Sequence, residues 1–504
     1  MLHMTAAVWS VTALADYRDD IGFTRLAAEL GGAMPSGAGI KVVQVEASES
    51  TNGQVYMPNT NDLEFTGKSF TNASGASNDV SGHATTVGRY YYGLQAGMAT
   101  GISDVAMYLA DDWLSSFLRI GQPSLEPATE TRQIQNHSWI AFDDSLSTDA
   151  VRRLDYAIER DGFVAIVAPN NGSGTNLPAV PGHSYNAICV GRSDGDHSAG
   201  GTRFDEAGRV KPDLVVPLGA TSFTAPAAAS AAALLLQTAT NAGLQNAKKP
   251  ECVKAILMAG ATRTQFPSWN RTSARPLDST YGAGQLNVYN SYIILTNGQQ
   301  TASSSNLVSW TGWDRTGIVA DGTSTYFFAV PAGTAMTDLS VVLAWSRRIV
   351  DGNPSPTVFD PQPEVLNLDL EFWSASNHAV VARLDMSTSI VDNVERIVQK
   401  NLPAGQYALR VLSNTNCSYA LAWHSDVLEQ PRFSSIVLSA DGQATISASI
   451  ASSHTYIVQA ADSLILPAWS NLATNLITTN LMQFIDPAST NRSRRFYRIQ
   501  LADP

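Results

Sequence analysis

With 504 residues the chain is too long for one hydrophobic core, and two to four domains are expected. Apolar residues make up 44%, enough to fill several cores, which excludes a disordered or fibrous chain. A net charge of -12, from 44 acidic against 32 basic residues, argues against nucleic acid as a partner, because phosphate binding needs clustered positive charge.

Residues 1–14 are mildly apolar but carry neither a basic n-region nor a small-residue cleavage site, so they do not read as a signal peptide. From there to about residue 300, strand and helix patterns alternate, which predicts an α/β layer fold with a largely parallel sheet. Residues 41–46 (KVVQVE) form a short apolar strand entered through a loop holding Gly37 and Gly39. Further strands are expected at 104–110 (DVAMYLA), 134–140 (IQNHSWI), 163–168 (FVAIVA) and 186–190 (NAICV). Between them, 148–160 places Ala150, Leu154, Ala157 and Ile158 on one face at helical spacing. Residues 222–238 are an alanine-rich helical run, and 250–259 opens on proline, as first turns often do.

Past residue 300 strand-like runs dominate, at 326–330, 339–345, 365–372 and 407–411, separated by turns such as Pro331-Ala332-Gly333 and Pro403-Ala404-Gly405. They predict an all-β domain, a sandwich or jelly roll. The strands at 445–450, 455–460 and 495–500 predict a second, smaller β-sandwich. The expected division is therefore 1–300, 301–435 and 436–504. No apolar run reaches the ~18 residues of a membrane-spanning helix, so no transmembrane segment is expected. Cys189, Cys252 and Cys417 are too few for a disulfide scaffold and too unevenly spaced for a structural zinc site. They read as buried small hydrophobes, with one bridge between two of them left open.

Four residues draw attention as a catalytic set. A serine hydroxyl is a weak nucleophile at neutral pH and needs a base in reach, a group that orients the base, and donors for the oxyanion. Ser222 precedes the alanine-rich helix, whose dipole favours negative charge near its first turn; a simple N-cap is the other reading of that position. His83, in 81–88 (SGHATTVG), sits where a loop turns into a helix, a place that also suits a structural histidine. Glu46 ends the strand 41–46, where catalytic groups lie in open α/β sheets, and where the first solvent-exposed residue would also lie. Asn170, in 167–172 (VAPNNG), likewise follows a buried strand, in a segment that also reads as a plain turn.

Together and in this order these segments resemble the subtilisin-like serine peptidases, the subtilases, over about residues 30–295. The family's V-x-V-x-D-T-G strand is matched by 42–47 (VVQVEA), its H-G-T-H-V-A-G segment by 83–88 (HATTVG) and its G-T-S-M-A-x-P-H segment by 220–227 (ATSFTAPA). Residues 211–217 (KPDLVVP) resemble K-P-D-x-x-A-P, 281–287 (YGAGQLN) the closing G-x-G-x-x-N, and 136–139 (NHSW) the strand whose backbone pairs with substrate. The resemblance implies a subtilisin-like, mostly parallel sheet with helices on both faces. It implies a serine endopeptidase for protein or peptide substrates, with Ser222 as nucleophile, His83 as base, Glu46 orienting it and Asn170 in the oxyanion hole. Asn136, Ser138 and Trp139 would line the substrate cleft.

Glu46 stands where the family has aspartate, Thr86 replaces a histidine, Ala220 replaces glycine, and the stretch 217–222 is shorter than in family members. The alternative reading is accordingly a weak or inactive subtilase-fold protein that binds peptide or polysaccharide; an esterase or amidase is a third. The Ser-Glu-Asp arrangement of the related sedolisins fits poorly, since they carry glutamate in place of His83 and aspartate in place of Asn170. The chemistry requires no cofactor; structural calcium is common in the family, but no oxygen-ligand loop is assignable. Residues 391–395 (VDNVE) with 402–407 (LPAGQY) resemble the jelly roll that follows some subtilase domains. Residues 456–460 with 496–498 resemble small C-terminal β modules of secreted bacterial proteins. The expectation is a secreted bacterial protein in processed form. Trp310, Trp313 and Trp373 are candidates for stacking on polysaccharide, with core packing the other role open to them.

Overall fold

The computed structural model describes residues 16–502 except 51–53, 76–78, 142–144, 206, 354, 356–357, 365, 430, 453 and 466. The segment 1–14 thus lies outside the described residues. Seven strands form the first sheet: β1 (Lys41–Glu46), β2 (Ser69–Asn72), β3 (Asp104–Leu109), β4 (Ile134–His137), β5 (Val164–Val167), β6 (Ile188–Arg192) and β7 (Leu214–Val216). Their order is β7-β6-β5-β4-β1-β3-β2, and every pairing is parallel. Such strands are buried on both faces, which is why they read as continuous apolar runs.

The helices are α1 (Gly82–Tyr92), α2 (Ser147–Asp161), α3 (Thr221–Asn241), α4 (Pro250–Gly260) and α5 (Val288–Thr296). Successive strand side chains point to opposite faces. Val42, Ile134, Val164 and Ile166 therefore join one core with α1, α3, α4 and α5. Val43, Val45, Ala165 and Val167 join another with α2 and the aromatic turn of Trp113 and Phe117. Helices thus cover both faces of a mostly parallel sheet. Alanine fills α3 at 225, 227–229 and 231–233, all buried, and the lack of bulk lets the helix lie close beneath the strands.

Eight antiparallel strands follow: β8 (Gly312–Ile318), β9 (Thr323–Val330), β10 (Thr334–Ala344), β11 (Leu368–Ser376), β12 (Ala379–Ser387), β13 (Val394–Leu402), β14 (Gly405–Ser413) and β15 (Cys417–Glu429). They form two sheets, β8-β15-β10-β13 and β9-β14-β11-β12, with a core of residues such as Phe328, Leu343, Phe372, Leu409 and Trp423. Leu339, Val341 and Leu343 face that core, while Val342 and Ala344 between them face α4. Tyr419, Leu421 and Trp423 alternate with Ala420 and Ala422 in the same way. The sheet β8-β15-β10-β13 is therefore covered by its partner sheet on one side and by the α/β unit on the other. Beyond residue 431, two three-stranded antiparallel sheets enclose a small core that includes Ile450, Tyr456, Val458 and Met482.

The alternation predicted in the sequence is observed with shifted ends. The strand expected at 134–140 stops at His137, because the chain leaves the sheet there and Ser138 turns towards α3. Trp313 cannot stack on a sugar: it is wholly buried, and its Nε1 donates to the Leu295 carbonyl at 3.0 Å. Trp310 keeps 38% of its surface exposed and Trp373 is half-buried. All three cysteines are free and buried, so no bridge joins them.

Buried charge fastens the two architectures together. The Asp155 carboxylate on α2 accepts from Ser184 Oγ at 2.5 Å, from the amides of Tyr185 and Asn186, and from Arg347 Nε and Nη2 at 2.9 and 2.6 Å. Arg347, in the loop after β10, also pairs with Asp205 and lies over the Tyr185 ring. Removing Asp155 leaves buried Arg347 with Asp205 as its remaining carboxylate and strips the acceptor from Ser184 Oγ and two buried amides. Asp155→Ala is expected to destabilise the protein by about 3–5 kcal/mol in denaturant unfolding, and a loss below about 1 kcal/mol would show that the contact carries little.

Candidate active site

The carboxyl ends of the parallel strands bring the sequence-predicted residues to one edge. Val45 pairs with His137 and His137 with Val167, so Glu46, Ser138 and Ala168 follow at one level. Glu46 lies two residues on from Gln44 and four from Val42, and by alternation it faces α1 and α3. Ser138 faces the same way from the end of β4, and its Oγ touches α3.

Glu46 is fully buried yet satisfied. Its Oε2 lies 2.7 Å from His83 Nδ1 and its Oε1 accepts from Gln44 Nε2 at 2.8 Å. Gln44 is itself fixed: Nε2 also donates to the Ala84 carbonyl at 2.9 Å, and Oε1 accepts from Tyr92 Oη at 2.6 Å. A carboxylate on Nδ1 holds the proton there and leaves Nε2 as the acceptor nitrogen. Burial pushes the Glu46 carboxyl above its ordinary range, opposed by the hydrogen bonds from His83 and Gln44. The Glu46 hydrogen bond in turn raises His83 above its ordinary value of 6.5, against the burial that would lower it.

His83 is the second residue of α1, where amides lack intrahelical partners. Ser81 caps the helix by accepting from the Ala84 amide at 2.8 Å. Glu49 takes two more, the amides of Gly82 and His83, each at 2.9 Å. Burial alone would push the Glu49 carboxyl up, but those amides and the Ser81 hydroxyl hold it below its usual range. Its charge adds to the rise at His83.

Ser222 is the second residue of α3 and half-buried. Tyr90, two turns beyond His83 on α1, stacks on Phe223 with ring centroids 5.2 Å apart, which sets α1 against the start of α3. No hydrogen bond joins His83 to the Ser222 hydroxyl among the described residues. Thr221, at the first position of α3, donates its amide to Asn171 Oδ1 at 2.9 Å, which ties the loop after β5 to the helix. Ser198 holds the Asn170 peptide, its Oγ accepting from the Asn170 amide at 2.9 Å and its amide donating to the Asn170 carbonyl at 2.8 Å. The Asn170 side chain is half-buried.

The three residues expected along the cleft all turn inward. Asn136 is wholly buried and donates to Ser138 Oγ at 3.0 Å. Ser138 is buried and donates to the Ser222 carbonyl at 3.0 Å. Trp139 packs on Trp113 and donates to His137 Nδ1 at 3.2 Å. Among the described residues no group of three His, Cys, Asp or Glu side chains is placed to hold a metal ion, so no calcium site is assigned. None of the described helices is long and apolar enough to cross a membrane.

Residues 39–284 match the model of the subtilase family. The N-terminal domain is a subtilase-family domain. Among solved structures the chain is similar to the protease domain of PatA, at 17% identity and a TM-score of 0.36, over 53% of this chain and 98% of that one. It is similar to the epidermin leader peptide processing serine protease EpiP from Staphylococcus aureus, at 13% identity and a TM-score of 0.39, over 57% and 83%. It is also similar to tripeptidyl peptidase 2, at 11% identity and a TM-score of 0.29, over 84% and 51%. No curated protein matches the chain.

Gln44, Glu49, Tyr92, Asn171 and Ser198 support this subtilase edge and were not singled out in the sequence. Glu49 alone carried a local signal, a second carboxylate three residues from Glu46. The two carboxylates are the charged groups facing the His83 ring. A His83 value raised by folding means that its stabilisation is complete below the unfolded value near 6.5 and is lost as pH rises through the folded one. Titration of the His83 ring by NMR is expected to place it above 6.5 in the wild type, lower in Glu49→Gln and lower still in Glu46→Gln. An unchanged titration in Glu49→Gln would confine Glu49 to capping the helix.

Proposed function

We propose that this domain is a serine endopeptidase working through a Glu46-His83-Ser222 triad, and the observation that carries the reading is the 2.7 Å pair between buried Glu46 and His83 Nδ1 on the face shared with α3. Glu46 keeps the proton on Nδ1 and stabilises the imidazolium that forms. His83 Nε2 takes the proton from Ser222 Oγ as the oxygen attacks the scissile carbonyl. Asn170 and the Ser222 amide, free of an intrahelical acceptor in the first turn, receive the oxyanion. The C–N bond then breaks, the amine leaves with the proton from His83, and water hydrolyses the acyl-enzyme with His83 again as base.

Peptide or protein is the substrate class, and backbone pairing beside Ser138 and Trp139 is the binding mode, since their side chains face inward. The β-sandwich at 301–435 and the smaller unit at 436–504 are the two appended modules of a secreted bacterial enzyme, and the exposed Trp310 is the residue best placed to meet polysaccharide. One observation favours a second reading, a weak or inactive binding protein on this fold: the missing hydrogen bond between His83 and Ser222. Such contacts are often long before substrate binds.

A fluorophosphonate label and a peptide library separate the two. The wild type is expected to label at Ser222 and cleave, Ser222→Ala to do neither, and Asn170→Ala to lose about 10²–10³-fold in kcat. Folded wild type that neither labels nor cleaves would establish the binding reading. Cleavage retained in Ser222→Ala would remove Ser222 from the chemistry.

A further inference from the structure

Pro226 interrupts the start of α3, a helix otherwise built for continuous hydrogen bonding. In an α-helix the amide of residue 226 would bond the carbonyl of residue 222, and proline has no N–H to give. The missing bond falls on the carbonyl of Ser222 itself. A carbonyl shut away without a donor costs about 1–3 kcal/mol, so another donor is needed.

Ser138 Oγ provides it, at 3.0 Å. A hydroxyl has one proton, and this one goes to the Ser222 carbonyl. The bond from Asn136 Nδ2 to Ser138 Oγ at 3.0 Å is therefore one that Ser138 accepts, and it fixes the hydroxyl rotor towards α3. Asn136 is wholly buried and its Oδ1 finds no partner among the described residues. The amide is thus held in place at a desolvation cost, with the bond to Ser138 as its one side-chain hydrogen bond among the described residues. From the other side, Asn171 Oδ1 receives the Thr221 amide at 2.9 Å. The Ser222–Phe223 peptide and the Ala220–Thr221 peptide are thus gripped from the segments that follow two adjacent strands, β4 and β5.

We propose that Ser138, oriented by Asn136, is a positioning residue for the nucleophile: its hydroxyl replaces the N–H that Pro226 lacks and so fixes the backbone that aims Ser222 Oγ. The proposal rests on Ser222 being the nucleophile. The Ser138 side chain faces inward onto the backbone of Ser222 and away from substrate, so its loss lowers kcat and the rate of phosphonylation while KM stays close to wild type. Misplacement on the ångström scale costs up to ~100-fold.

The test is a cycle between Ser138 and Pro226, read as kcat and KM for peptide cleavage and as the rate of fluorophosphonate labelling, with folding followed by thermal unfolding. Ser138→Ala is expected to lose about 10–100-fold in kcat with KM changed less than about threefold. Adding Pro226→Ala supplies an amide to the Ser222 carbonyl and is expected to recover at least about tenfold of that loss. If Ser138→Ala does not fold, Asn136→Ala, which keeps the hydroxyl but frees its rotor, carries the same comparison with and without Pro226→Ala.

Folded Ser138→Ala with wild-type kcat would overturn the proposal. So would a loss that Pro226→Ala leaves unrecovered in a folded double variant, or a loss expressed in KM, which would place Ser138 on the substrate. Wild type that neither labels nor cleaves would remove the nucleophile reading and this proposal together, a result distinct from an active wild type with an equally active Ser138→Ala.

Discussion

A parallel strand turns every second side chain to the same face, and the whole candidate site depends on that constraint acting on three neighbouring strands in register. β1, β4 and β5 are paired so that Gln44, Asn136 and Ile166 stand side by side. Because side chains two residues apart share a face, Glu46 and Ser138 stand on the α3 side of the sheet, and Asn170 follows in the loop beyond β5. Glu46, Ser138 and Asn170 lie on, or one step past, that row. A one-residue slip of any strand would turn its polar residue to the α2 face, among Trp113, Leu154 and Ile158 and away from α1 and α3. Register is thus what converts three unremarkable sequence positions into a cluster.

Burying Glu46 completely sets the electrostatics. An isolated carboxylate in that position would be driven neutral, and a neutral acid would not raise the basicity of His83. Two donors oppose this, the His83 ring and the Gln44 amide, and Gln44 is in turn locked by Tyr92 and the Ala84 carbonyl. Glutamate serves in this place because it ends β1 and Gln44 grips its second oxygen, so the longer side chain is held at both carboxylate oxygens. Glu49 supplies the second negative charge from solvent's side while it holds the first amides of α1, and so couples the position of the His83 backbone to the charge felt by its ring.

How much of this could be read in the sequence depended on whether the cause was local. β1 matches its expected span to the residue, α4 to one residue, and α2 to one at each end, since apolar periodicity and proline or glycine at the ends are local signals. β2 and β7 carry no such signal: β2 is mostly exposed, and β7 is three residues enclosed between prolines, too short for alternation to show. The pairing of Glu46 with His83, 37 residues apart, was legible only as a family pattern. The roles of Gln44, Tyr92, Asn171 and Ser198 were not legible at all, because a buried polar residue has meaning only through partners the fold brings to it. Ser138 and Trp139 show the same limit from the other side: their segment lies beside Ser222, but whether a side chain faces outward or towards the helix is decided by where β4 ends.

The β-sandwich is built into this arrangement by the same alternation. β10 and β15 present Val342, Ala344, Ala420 and Ala422 to α4, and every residue of α4 is buried between that sheet and the α/β core. α4 packs in turn against α5 and α3. Arg396, wholly buried on β13, donates to the Met258 carbonyl near the end of α4 at 3.2 Å, a carbonyl that also accepts the Ala261 amide at 3.4 Å. Stripped of the sheet β8-β15-β10-β13, the α/β unit would expose the apolar face of α4, which packs against the helix that carries Ser222. The sandwich is therefore a structural layer of the domain that holds the site, whatever else its outer face contacts.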